Sequence, residues 1–220
     1  MNVGDEGSQK YFELSKEKFD DPSSKWTKIT DLFSKDKYKA VIHRRPIEGD
    51  SRGGSMLKMD MVFYKTSIKE FLELFKNGPP IDNMKERKVV KGTEEDKYIY
   101  IRMSPGGFVS DRDQVVRKTV ETMADGSVLI TIKTHELPEY PETPGVVRVE
   151  IFKTMMLVQE GEDLKITDFS HLDLKGYFPV RIMNMMLGTM MSKNIPKIRK
   201  TVEEIQANGG VYNDPMNVAA

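Results

Sequence analysis

The chain has 220 residues with 38% hydrophobic and 31% charged content, the profile of an ordinary globular protein with enough length for one large domain and a real core. Its 34 basic and 34 acidic residues cancel, so no global field draws it to nucleic acid, and attraction to anionic surfaces must be local. The absence of cysteine excludes disulfides, thiolate metal sites and thiol catalysis.

In chain order, residues 1–9 read as a frayed end, polar and acidic and unlike a secretory signal. Tyr11, Phe12, Leu14 and Phe19 suggest a short amphipathic helix over 10–20, stopped by Asp-Asp-Pro. The stretch from Trp26 to Phe33 is ambiguous. Residues 38–45 and 55–64 read as strands about a Gly-rich turn, and Ile68 to Phe75 as a helix with Phe71, Leu72 and Phe75 on one face. Strand patterns follow at 86–91, 97–103, 113–121, 127–134, 146–158 and 164–173. HELPEYPETPG, with three prolines, forms a loop between the fourth and fifth of these.

The last element differs in kind. Leu187, Met191, Ile195, Ile198, Val202 and Ile205 recur at helical spacing, which predicts a helix over 180–207 with a kink at Pro196 and a stop at Asn-Gly-Gly 208–210. Its apolar stretch Ile182 to Met191 is too short to cross a bilayer. The order predicts a single α+β domain over 1–220, an antiparallel sheet gripping one long helix, with core or cavity between them. The expected setting is cytoplasmic, peripheral to membranes.

Enzyme motifs are sparse. There is no Gly-x-Ser-x-Gly elbow and no His-Glu-x-x-His, and the Gly-rich stretch 49–55 lacks the lysine and hydroxyl residue of a phosphate loop. His43, His135 and His171 are far apart and read as structural or solvated. Neither a metal nor a cofactor is expected. In a strand over 113–121, Gln114, Val116 and Lys118 share one face and Val115, Arg117 and Thr119 the other, so a basic residue points inward either way. A buried cation needs an anion or several hydrogen bonds. The methionine-rich segment MNMMLGTMM (183–191) suits either a loosely packed core or a surface for variable lipids. The basic residues Lys193, Lys197, Arg199 and Lys200 read as a solvated face, or as a contact for anionic headgroups.

Several motifs then fall into one order: Pro105, Ser110-Asp-Arg-Asp113, Arg117-Lys118, His135-Glu-Leu-Pro-Glu-Tyr-Pro141, Gly145-Val-Val-Arg148, Asp173-Leu-Lys-Gly176-Tyr-Phe-Pro179 and Asn184. In these the chain resembles the START family, the steroidogenic-acute-regulatory-protein-related lipid-transfer domains. The resemblance implies a helix-grip fold with a hydrophobic tunnel for one lipid, without covalent chemistry. Loop 104–111 and the terminal helix would gate it and touch membranes transiently. By the resemblance Lys118 would meet a ligand phosphate, while Ile99 and Ile151 stand where sterol-binding relatives carry polar groups, which favours a phospholipid or acyl-chain lipid over a sterol. The expected lining is Ile99, Ile101, Val116, Lys118, Val149, Ile151 and Phe169 from the sheet, closed by Met183, Leu187 and Met190 from the helix. The expected protein is a monomer that transfers or senses lipid and binds no nucleic acid. A rival reading is a helix-grip enzyme with His135, His171, Asp173 and Tyr177 converging, and a third is an interaction module whose interior is filled by its own side chains.

Overall fold

The computed structural model describes residues 25–47, 55–77, 83–106, 109–176 and 180–212, without the side chains of 180–192. The predicted helix over 10–20 lies outside the described residues. The described residues form ten strands and two helices: β1 (Thr27–Ser34), β2 (Tyr38–Pro46), β3 (Ser55–Phe63), α1 (Ile68–Asn77), β4 (Met84–Gly92), β5 (Asp96–Met103), β6 (Arg112–Thr122), β7 (Val128–Thr134), β8 (Val147–Arg148), β9 (Glu150–Glu160), β10 (Asp163–Asp173) and α2 (Val180–Ala207). They form the expected α+β arrangement. The sheet runs β1-β2-β3-β10-β9-β7-β6-β5-β4, with β8 beside β6, and every pairing except β6 with β8 is antiparallel.

Alternation along the strands gives the sheet two distinct faces. One face carries Ala40, Ile42, Met59, Met61, Phe63, Ile130, Met155, Leu157, Leu164 and Ile166, and packs against Phe71, Leu74 and Phe75 of α1 and Ile195, Val202 and Ile205 of α2. The helical spacing read from the sequence thus holds over the C-terminal half of α2. The helix continues through Pro196 and ends where Gly210 N donates to Ile205 O at 2.8 Å, with Gly209 at φ 68°. At the other helix, Ser67 and Glu70 form a capping box: Glu70 Oε2 accepts from Ser67 N at 2.7 Å, and Ser67 Oγ accepts from Glu70 N at 3.2 Å.

Two elements differ from the sequence reading. The ambiguous stretch after Trp26 is strand β1, whose bulky Phe33 is 68% exposed while Thr30 and Leu32 face the helices. An edge strand with its largest side chain outward obscures the buried-face pattern. The single strand expected over 146–158 is two strands, because β6 extends beyond the end of β7 and leaves edge carbonyls open. Val147 N and Val149 N donate to Asp111 O and Asp113 O, each at 2.9 Å, before the chain leaves to pair β9 with β7 and β10.

The C-terminal half of α2 is fastened to the turn between β3 and α1. Arg199, 7% exposed, donates from Nη1 to Tyr64 O and Thr66 Oγ1, both at 2.8 Å, and from Nε to Glu203 Oε1 at 3.0 Å. Gln206 Nε2 donates to Lys65 O at 2.7 Å beside it. Arg199 is therefore an internal fastener and does not belong to a basic surface run. Arg199→Met should lower stability by about 2–4 kcal/mol. Lys200→Met, in a side chain 78% exposed, should change it by less than about 0.5 kcal/mol, both read from urea unfolding.

Candidate functional site

The pairs Ile99↔Val116 and Ile101↔Gln114 on β5 and β6 set their side chains on the face that bears the helices. Ile99, Ile101 and Val116 form an apolar cluster with Met84, Met103, Ile132 and Ile151 packed against it. Four residues expected from the sequence are thus brought together. Val149 is fully buried at the junction of β8 and β9, outside that cluster. Phe169 is a correction: it lies on the opposite face, in a cluster with Met56 and Phe152 and with Trp26 packed at a centroid distance of 6.1 Å. The pleat decides this, since Asp168 and Ser170 take the helix-facing positions that flank it. Met183, Leu187 and Met190 belong to α2, but their side chains lie outside the described residues.

Lys118 points inward as expected, and is 4% exposed. Its Nζ donates to Phe75 O in the last turn of α1, and Lys97 Nζ donates to Lys76 O at 2.6 Å. Two ammonium groups thus meet the negative end of the helix dipole. The cation that the resemblance assigns to a ligand phosphate is held by the protein's own backbone. Arg117, on the outer face, makes a two-point ion pair with Asp96 at 2.8 and 2.6 Å.

Burial, with Lys97 nearby, pulls the Lys118 ammonium down from its usual 10.5 to about 8. Between those values the unfolded chain holds a proton that the folded chain has released, so this group makes stability rise with pH across that window. The urea midpoint of the native chain should climb relative to Lys118→Met between pH of about 8 and about 10.5, and a flat difference would refute the placement.

Sequence reasoning also missed a buried carboxylate on the same face. Asp168, 2% exposed, accepts from Lys153 Nζ through Oδ2 at 2.5 Å. Burial pushes its carboxyl above the usual carboxylate range, against the pull of Lys153. The signal was present: Ile151, Lys153, Met155 and Leu157 alternate inward on β9, as do Leu164, Ile166 and Asp168 on β10. Both charges sit in phase with core residues.

The motif residues themselves mostly build the frame. Asp113 holds Arg148 at 2.7 and 2.9 Å, and Arg148 also donates to Tyr140 O and Pro141 O at 3.2 and 3.3 Å. This fixes β8 and the proline loop against the outer face of β6. Asp111 accepts from Arg102 Nη2 at 2.7 Å, and Arg112 Nη1 donates to Ser110 O at 2.5 Å. His135 packs edge-on to Tyr98 at 4.8 Å, on the outer face. His171 and Asp173 share the outward parity of Phe169, so these polar groups do not converge beneath the helices; Tyr177 lies outside the described residues. Among the described residues no cluster of His, Asp and Glu could hold a metal, and no helix is long and apolar enough to cross a membrane.

A ten-stranded sheet, antiparallel except where β8 joins β6, with one long terminal helix is a helix-grip architecture. The START domain model matches residues 36–208, and the chain belongs to that family. It is 30% identical over 166 residues to the mitochondrial steroidogenic acute regulatory protein of Mesocricetus auratus, covering 70% of this chain and 58% of that one. The rat protein of the same name matches at 30% over 133 residues, covering 57% of this chain and 46% of that one, so the chain spans about half the length of these curated relatives. Among solved structures it resembles human StAR-related lipid transfer protein 5, with a TM-score of 0.70 at 17% identity over 92% of this chain and 97% of that one. A STAR-related lipid transfer protein from Xanthomonas axonopodis matches with a TM-score of 0.68 at 19% identity, over 82% and 99%.

Proposed function

We propose that the chain binds one lipid molecule between the helix-bearing face of its sheet and α2, and carries it between membranes without chemical change. The observation that supports this most is the apolar wall of Ile99, Ile101 and Val116 inside a START domain. Burying an acyl chain or ring system there at about 0.8 kcal/mol per methylene drives uptake with no other source of free energy. In this reading Ile151 and Val149 extend the wall, and Met183, Leu187 and Met190 close it from α2. Loop 104–111 and α2 would meet the membrane surface during exchange. Lys118, engaged at the end of α1, would support the frame of the site and would not anchor a phosphate. The placement of His135, His171 and Asp173 away from the helices weighs against the rival reading of an enzyme.

The test is native mass spectrometry after incubation with mixed vesicles, paired with fluorescent-lipid transfer between donor and acceptor vesicles. The native chain should take up lipid at one per protein. Val116→Phe should fill the wall and weaken uptake about tenfold, the effect of roughly 1.4 kcal/mol of overpacking, while circular dichroism remains native. Failure of every lipid class to bind or transfer would sink the reading.

A further inference from the structure

The helix-bearing face contains a charge whose hydrogen bonding is incomplete. Asp168 projects from β10 between its register partners Met59 on β3 and Met155 on β9, and both of those belong to the main apolar core. Its Oδ2 is taken by Lys153, while Oδ1 is buried and meets no donor. Methionine and isoleucine neighbours have no proton to give. Buried carboxylate oxygens ordinarily have at least one hydrogen-bond partner, and one left bare in an apolar setting marks a place where something else donates.

The charge balance restricts what that donor is. Lys153 and Asp168 together are neutral, so a second cation would leave the site charged, and an anion would face the carboxylate directly. A phosphodiester offers only acceptors, which cannot complete an acceptor. The complement is a neutral donor of one hydrogen bond, borne on a molecule that is otherwise apolar. Lys153 gives the geometry its rigidity, since it fixes the carboxylate and leaves one defined oxygen open. Ser170, two residues along β10 on the same face and paired with Lys153, is a further polar residue beside the pair.

We infer that Asp168, positioned by Lys153, anchors the headgroup of the bound lipid by accepting a hydrogen bond from an uncharged hydroxyl. The cargo class is then a hydroxyl-headed neutral lipid. This rests on the lipid-binding reading above and reverses the sequence-based preference for a phospholipid. Burial raises the proton affinity of the carboxyl, and a donated hydrogen bond from ligand would offset that cost.

A sterol and a diacylglycerol share this chemistry, and the experiment separates them. Binding of cholesterol and of dioleoylglycerol is measured by vesicle competition, each beside its O-methyl ether, with dioleoylphosphatidylcholine as a third probe. The native chain should prefer one of the free hydroxyls to its ether by about tenfold or more, because the ether leaves Oδ1 unpaired. Whichever hydroxyl shows the preference names the cargo class. The double variant Lys153→Met with Asp168→Leu replaces the pair by apolar groups of similar size, and should bind hydroxyl and ether alike. A native chain that binds each hydroxyl and its ether equally, or that takes phosphatidylcholine but neither hydroxyl probe, overturns the anchor and leaves lipid binding intact. A double variant that still discriminates also overturns it. If no probe binds at all, the lipid-binding reading fails with it. The ether comparison on the native chain decides the matter even where the double variant does not fold.

Discussion

One register line organises this molecule. Leu57, Ser170, Lys153, Ile132, Lys118 and Lys97 stand opposite one another on six adjacent strands, β3, β10, β9, β7, β6 and β5, all on the helix-bearing face. The side-chain period of a strand is two, so a slip of one residue anywhere would turn an apolar face outward. The same constraint forces three lysines under the helices. A buried ammonium without partners costs several kcal/mol, so the rest of the interior must answer that row. Asp168 answers Lys153, and the last turn of α1 answers Lys118 and Lys97. The position of α1 is therefore fixed electrostatically at its C-terminal end and by the Ser67–Glu70 cap at its start.

Much of the fold was legible where a long element carried a clear period. Helical spacing from Ile195 to Ile205 reports one buried face, whereas β5 and β6 are buried on both, with Ile99, Ile101 and Val116 toward the helices and Tyr100 and Val115 on the outside. Legibility failed where an element answers to something other than its own pattern. β1 is an edge strand with Phe33 outward, and β8 exists only because β6 outruns β7. In the candidate site, parity requires one basic residue of β6 to turn inward, and the family resemblance is what points to Lys118, with Ile99 and Ile151, for that face. The partner of Lys118 could not be read from the sequence, since Phe75 lies 43 residues away and presents a carbonyl, which no side-chain pattern encodes. Phe169 misleads for the opposite reason. An aromatic between Asp168 and Ser170 looks like the buried member of the strand, yet the outer face has its own aromatic cluster to receive it.

Most of the family motifs and the proposed lipid wall lie on opposite sides of the same strands, which limits what a family match can say about cargo. On β6, Asp113 turns outward to hold Arg148 and the proline loop, while Gln114 and Val116, its neighbours in the chain, turn toward the helices. The outer pairing has stringent geometry, a bidentate carboxylate and guanidinium with two backbone carbonyls, and tolerates little change of residue type. The inner wall needs only volume and polarity of the right kind, so many sequences serve it. Motifs drawn from the outer face therefore report that the frame is present. On the proposal made above, what the frame carries depends on the inward polar atoms that the protein does not satisfy itself, and among the described residues Asp168 Oδ1 and Gln114 Oε1 are two such acceptors.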